Sequence, residues 1–120
     1  MNDKTVQLTV HLSIHEGSFA EFERTAQAMC VRCQDEPGTL AYSWFLSDDR
    51  KKCRLIELYT DAKAAAAHLT GPVVRDLVPK LLQSANVTGF EVNGDPGPEA
   101  TAILRGFGAQ IFKHWHSMSR

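Results

Sequence analysis

Glu57 is the only charged side chain between Arg54 and Asp61. In the alternating run 53–59 it shares one strand face with Leu55 and Tyr59. A carboxylate on an otherwise apolar face has a raised pKa and can serve as a general base, or it pairs with an Arg or Lys from a neighbouring element. His68 ends an alanine-rich stretch just ahead of Gly71-Pro72. An imidazole there either satisfies the last carbonyls of a helix or enters a pocket as a titratable group. Tyr42, Trp44 and Tyr59 occupy inward positions of two adjacent predicted strands. Such aromatics are ordinary core, or they wall a flat apolar pocket for a planar aromatic ligand. The alanine run 64–67 favours the pocket, because small side chains leave room above a sheet.

Other candidates for chemistry are weaker. Cys30-Val31-Arg32-Cys33 is a C-x-x-C, the spacing of a redox pair or of half a zinc site. It falls well inside a predicted helix, whereas redox pairs sit where a helix begins and its positive end lowers the thiol pKa. No second C-x-x-C completes four zinc ligands. Cys33 lies on the apolar stripe of that helix, so both thiols read as packing. His11 and His15 are on a strand and its exit and do not share a helical face. His114 and His116 flank Trp115 and would need a third ligand from elsewhere to hold a metal; an exposed tail is the simpler account. No metal is expected.

The elements that must position these residues follow from periodicity. Residues 6–14 alternate strictly, with Val6, Leu8, Val10, Leu12 and Ile14 on one face and Gln7, Thr9, His11 and Ser13 on the other. Ser18 with Glu21 three residues on has the form of a capping box, and Phe19, Phe22, Ala26, Met29 and Cys33 make one helical stripe. Pro37-Gly38 ends that helix. Residues 40–46 and 53–59 form a hairpin around a polar tip at 47–52. Thr60 or Asp61 caps a short helix over 64–67, and Gly71-Pro72 stops it. The next helical stripe, Val74 to Leu82, contains Pro79, which predicts a kink or break near Val78. Val87 to Val92 is a fourth strand, weakened by Gly89. After the turn-rich run 93–98, residues 98–105 suggest a short helix and 109–116 a last strand or extended arm.

The order is βαββαβ, an α+β ferredoxin-like protomer with an antiparallel sheet and helices on one face. The uncovered face and the sheet edges predict a homodimer. Composition agrees with one globular domain: 120 residues, 43% hydrophobic and 22% charged. A formal net charge of −1 leaves no basic excess for a nucleic-acid partner. No apolar run approaches the ~20 residues of a membrane span. The polar start Met1-Asn2-Asp3-Lys4 and three unpaired cysteines point to a cytoplasmic protein.

Glu36-Pro37-Gly38-Thr39-Leu40-Ala41-Tyr42-Ser43-Trp44, Ile56-Glu57-Leu58-Tyr59-Thr60 and Ala67-His68-Leu69-Thr70-Gly71-Pro72 together resemble the antibiotic biosynthesis monooxygenase family, which includes quinol monooxygenases. The resemblance covers about residues 5–93, so 1–94 is expected to form the family domain. Residues 95–120 are an extension expected to pack on that domain or on a dimer partner. It implies a dimeric α+β barrel, a ligand cleft between sheet and helices, and oxidation of quinol-like or polycyclic phenolic substrates by molecular oxygen without a cofactor. On that reading His68 and Glu57 are the catalytic proton acceptors, and Tyr42, Trp44, Tyr59, Leu55 and Ala65 contact substrate. Leu55 stands where a polyketide-oxidising branch has Asn, Ala65 where it has Tyr, and Val73 where the quinol branch has a second His. Residues 73–84 contain no His for the axial ligand of the haem-degrading branch. The alternatives are a non-catalytic dimeric module that binds a small aromatic, or an isomerase or lyase on the same barrel.

Overall fold

The strict alternation of the first strand places it at the centre of the sheet. In the computed structural model, which describes residues 3–120, β1 (Val6–Ile14) buries every second side chain from Val6 to Ile14. Met1 and Asn2, the start of the polar amino terminus, lie outside the described residues. β1 is flanked on one side by β3 (Lys52–Tyr59) and on the other by β4 (Ala85–Asn93), both antiparallel. β2 (Thr39–Leu46) pairs with β3 on the outer side, completing the hairpin.

The sheet has five strands, in the order β2-β3-β1-β4-β5. β5 (Gln110–Phe112) is short and runs parallel to β4, so the sheet is mixed rather than wholly antiparallel. The cause is the helix between them, which returns the chain in the direction of β4. Beyond Phe112 the chain has no regular structure, and the expected arm to residue 116 stops there as a strand.

α1 (Phe19–Cys33) buries Phe22, Thr25, Met29 and Cys33 against the sheet. Thr25 takes a buried place because its hydroxyl donates to the Glu21 carbonyl at 3.2 Å. Ser18 occupies the N-cap position but its side chain makes no capping bond, so the predicted capping box does not form. Its backbone (φ −107°, ψ 9°) is not the extended conformation that aims a cap hydroxyl at the first turn. Asp61 does have that conformation, and its carboxylate accepts from Ala64 N at 2.9 Å to start α2 (Ala62–Leu69).

α3 (Pro72–Leu81) begins directly after Gly71 and runs through Pro79 without ending. Pro79 and Arg75, whose carbonyl loses its helical partner, both lie on the exposed side of α3, and the expected break is absent. α4 (Gly97–Gly106) packs on α2 and buries Ala100 and Leu104 completely. The helices lie on one face of the sheet, and the core lies between the layers in two clusters. One holds Leu12, Phe22, Met29, Leu55 and Leu81; the other holds Val6, Leu8, Tyr59, Ala65 and Leu104. Among the described residues, no helix is long and apolar enough to cross a membrane.

Candidate active site

Strand register assembles the first part of the site. β3 points Leu55, Glu57 and Tyr59 inward, and pairing places Tyr42 and Leu8 on either side of Glu57. The next inward row across the sheet is Trp44, Leu55, Val10 and Phe90. The second part comes from α2, whose last turn carries His68 down onto the sheet. Gly38 permits that approach: a Cβ at Gly38 would lie only 2.5 Å from Ala64 Cβ. The close contact also brings the end of α1 and the loop carrying Glu36 against His68.

Glu57 is 4% exposed and accepts a hydrogen bond from the Tyr59 hydroxyl. His68 is 2% exposed, with Nδ1 at 2.8 Å from Glu36 Oε1 and Nε2 at 3.6 Å from Glu57 Oε1. The imidazole therefore joins two carboxyl groups instead of satisfying helix-end carbonyls. Among the described residues Glu57 has no Arg or Lys partner within ion-pair distance; its neighbours are a tyrosine and a histidine. Burial pushes the Glu57 carboxyl above the usual carboxylate range; His68 and the Tyr59 hydrogen bond offset part of the rise, and Glu36 adds to it. Burial, and then the nearby Glu57 charge, likewise push Tyr42 and Tyr59 up, so both remain protonated phenols.

A cavity of about 530 Å³ opens above Glu57, between the sheet and α3. Leu55, Val10 and Phe90 form its floor, Val78 and Leu81 its helical wall, and Tyr42, His68, Glu57 and Asn86 its polar points. Phe107, at the C-terminal end of α4, closes one side and stacks on Phe90 with ring centres 6.5 Å apart. An apolar chamber with a few convergent polar groups suits a small, largely apolar ligand.

The sequence-derived residues divide by position. Tyr42, Leu55, Glu57 and His68 line this cavity together. Tyr59 is fully buried and lies behind the wall, where it holds Glu57, with its ring 5.3 Å from that of His68. Ala65 is also fully buried, packed with Tyr59 and Leu104, and does not reach the cavity. Trp44 faces a different hollow beside α1, edge-on to Phe22, because it sits on the edge strand β2, whereas Leu55, Val10 and Phe90 of the same row lie further across the sheet. Glu36, Asn86, Phe90 and Phe107 were not singled out as site residues from the sequence. Glu36 had a local signal: Thr39, three residues on across Pro37-Gly38, donates to it at 2.8 Å.

Cys33, Glu36 and His68 present donor atoms within 4.8 Å of one another. They are already joined, since Glu36 accepts from Thr39 and lies against His68 Nδ1. Burial, then the charges of Glu36 and Glu57, push the Cys33 thiol up to about 12, so it is held as a thiol. Cys30 is half-buried and its thiol lies 3.7 Å from the Tyr42 carbonyl. All three cysteines are free. His11 pairs with Glu91, His15 with Asn86 and the Gln83 carbonyl, and His114 with Ser117.

Residues 5–80 match the antibiotic biosynthesis monooxygenase family, which is well over half of the chain. The chain belongs to that family. No curated protein matches it by sequence. Among solved structures, MupZ from Pseudomonas fluorescens superposes with a TM-score of 0.81 at 23% identity, covering 98% of this chain and 95% of that one. SnoaB from Streptomyces nogalater, a cofactor-independent oxygenase, gives 0.68 at 18% identity over 79% of this chain and 96% of that one. A conserved protein from Bacteroides thetaiotaomicron gives 0.68 at 21% identity over 76% and 97%. At these identities the likeness is one of fold. The family match ends at residue 80, inside α3, and the MupZ superposition covers nearly the whole chain. Beyond the matched residues, Phe107 at the end of α4 reaches the cavity.

Proposed function

We propose that this antibiotic biosynthesis monooxygenase-family protein is a cofactor-independent monooxygenase acting on a small quinol-like or polycyclic phenolic substrate. The observation that carries the reading is the Glu57 carboxyl. It lies on the floor of a largely apolar cavity, held by Tyr59 and facing His68. An electron-rich phenolate or its carbanion can give electrons to oxygen directly. The protein then has to take a proton, hold the ring and exclude water.

In this mechanism the Glu57 carboxylate removes the substrate proton, and oxygen adds to the ring carbon as a peroxide. The Glu57 acid returns that proton to the outer peroxide oxygen. The remaining hydrogen of the same ring carbon then leaves as a proton while the O–O bond breaks, so the carbon becomes a carbonyl and the hydroxide released combines with that second proton and leaves as water. All electrons come from the substrate. A carboxyl with a raised pKa suits both halves, being a stronger base when ionised and already an acid when protonated. Tyr42 and Leu55 contact the ring from the sheet, and His68 faces Glu57 from α2.

A second reading is supported by the same carboxyl: an isomerase or lyase in which Glu57 moves a proton without oxygen. Oxygen uptake by metal-stripped protein with a panel of naphthoquinols and polycyclic phenols, against protein-free autoxidation, separates the two. Uptake above background supports the oxygenase. Turnover that persists under argon supports proton transfer alone. Saturable binding with neither would make the protein a ligand-binding module.

The functional unit in this reading is a homodimer. The sheet face opposite the helices carries Phe45, 56% exposed, beside the half-buried Ile56 and Leu58. A second copy packing sheet to sheet would cover them.

A further inference from the structure

A second cleft, of about 550 Å³, lies on the other side of α2 from the cavity, and His68 is the residue that lines both. Its floor includes Glu36 and Thr39, its rim Arg32 and Lys63. His68 is itself almost fully buried, so its ring forms the partition between the two spaces. One nitrogen faces Glu57 at 3.6 Å, on the cavity side; the other meets Glu36 at 2.8 Å, on the cleft side, where the Glu36 side chain is 20% exposed.

We propose that Glu57, His68 and Glu36 form a proton-transfer line that connects the substrate cavity to solvent through the second cleft. The proposal rests on the reading of Glu57 as the acid–base group. With Glu36 as a carboxylate, which only accepts, and the imidazole neutral, the proton sits on Nδ1 and Nε2 presents its lone pair to Glu57. The Glu57 carboxyl proton passes to Nε2 while the Nδ1 proton passes to Glu36. One proton thereby moves from Glu57 to Glu36, one negative charge moves the other way, and the imidazole ends neutral with its proton on Nε2. The reverse sequence restores the start. Nε2 and Glu57 must approach by a few tenths of an ångström for the first transfer, within reach of a small carboxyl rotation.

The arrangement answers a physical problem of the cavity. A proton taken from substrate has to be held somewhere until it is returned, and the walls of the chamber around the substrate are largely apolar. The line holds it outside that chamber. The other titratable groups against His68 are Tyr42 and Tyr59 from the strands and Cys33 from α1. Burial keeps Tyr42, Tyr59 and Cys33 protonated, so they do not offer a competing acceptor. Glu36 acts through His68 and is a positioning residue for the proton.

The test uses the full-length protein and needs no substrate. Infrared spectroscopy of protein labelled with ¹³C-glutamate follows the protonated carboxyl band of Glu57, assigned by its loss in Glu57→Gln, as it exchanges after rapid transfer to D₂O. Glu36→Gln keeps an acceptor for Thr39 and His68 but cannot take up a proton, so exchange at Glu57 should slow at least tenfold. Glu36→Asp retains a carboxylate and should restore most of the rate, which a merely structural role would not require. Thermal melts confirm that both variants fold. Exchange in Glu36→Gln at the parent rate overturns the proposal, as does slowing in Glu36→Asp equal to that in Glu36→Gln. Where a substrate turns over, Glu36→Gln should lower kcat at least tenfold with KM within twofold. Because the infrared arm is independent of turnover, it separates failure of the proton line from failure of the oxygenase reading.

Discussion

At the scale of the residue, Glu57 combines two properties that a purely structural side chain would avoid: a fully enclosed carboxyl and a hydrogen-bond set that leaves it facing a cavity. Burial raises its pKa in the folded protein above the unfolded value. The folded state therefore binds more protons than the unfolded state between the two values, and stability falls as pH rises through that window. Glu57→Gln cannot ionise and keeps a group for Tyr59 to meet. Its melting temperature should match the parent at acidic pH, below the ordinary carboxylate range, and exceed it increasingly as pH rises; melts across pH check this. Tyr59→Phe acts in the opposite sense on the group itself. The Tyr59 hydrogen bond lowers the Glu57 pKa, so its loss raises that pKa further. The basic-form limb of the pH–rate profile should move to higher pH, and an unchanged limb would deny Tyr59 its role. Glu57 and His68 stand out in the sequence because a charge interrupts an apolar face and a histidine follows an alanine run. Tyr59 stands out only as an inward aromatic. Alternation gives the face of a side chain, but not whether its hydroxyl reaches a neighbour two residues away.

At the scale of the element, the contact that builds the site is α2 against the loop after α1. Gly38→Ala would put a methyl group into Ala64, where neither backbone can give way easily. The expected cost is about 1–3 kcal/mol, read by urea unfolding, together with weaker contact between His68 and Glu36. Parent stability in this variant would show that α2 can shift without loss. The strands and α1 are legible because their periods are clean, as in Val6 to Ile14 and in the Phe22 to Cys33 stripe. Pro79 does not break α3: it sits on the exposed side, and the stripe Val73, Leu77 and Leu81 stays buried on either side of it. Ser18 misleads because a capping box needs an extended backbone that sequence alone does not fix. Trp44 and Ala65 have inward or packed faces but meet other neighbours: Trp44 is on the edge strand under α1, and Ala65 packs on Tyr59 and Leu104. Period gives the face of a side chain, but not which strand or helix lies over it. The polar pairing of His68 with Glu36, 32 residues apart, has no local signature at all.

At the scale of the whole molecule, α4 brings Phe107 to the cavity, while the sheet face opposite the helices exposes Phe45. Light scattering after gel filtration should give about twice the 13.3 kDa chain mass; a monomer at working concentration would remove the paired-sheet arrangement. The central claim is that Glu57, in this cavity, moves the substrate proton. The most direct test compares the parent and Glu57→Gln on the quinol panel, with oxygen uptake and ligand binding measured on the same samples. Both should bind the same compound with similar affinity, and the variant should lose about 10²–10⁴-fold in kcat. Turnover by Glu57→Gln at the parent rate would contradict the account.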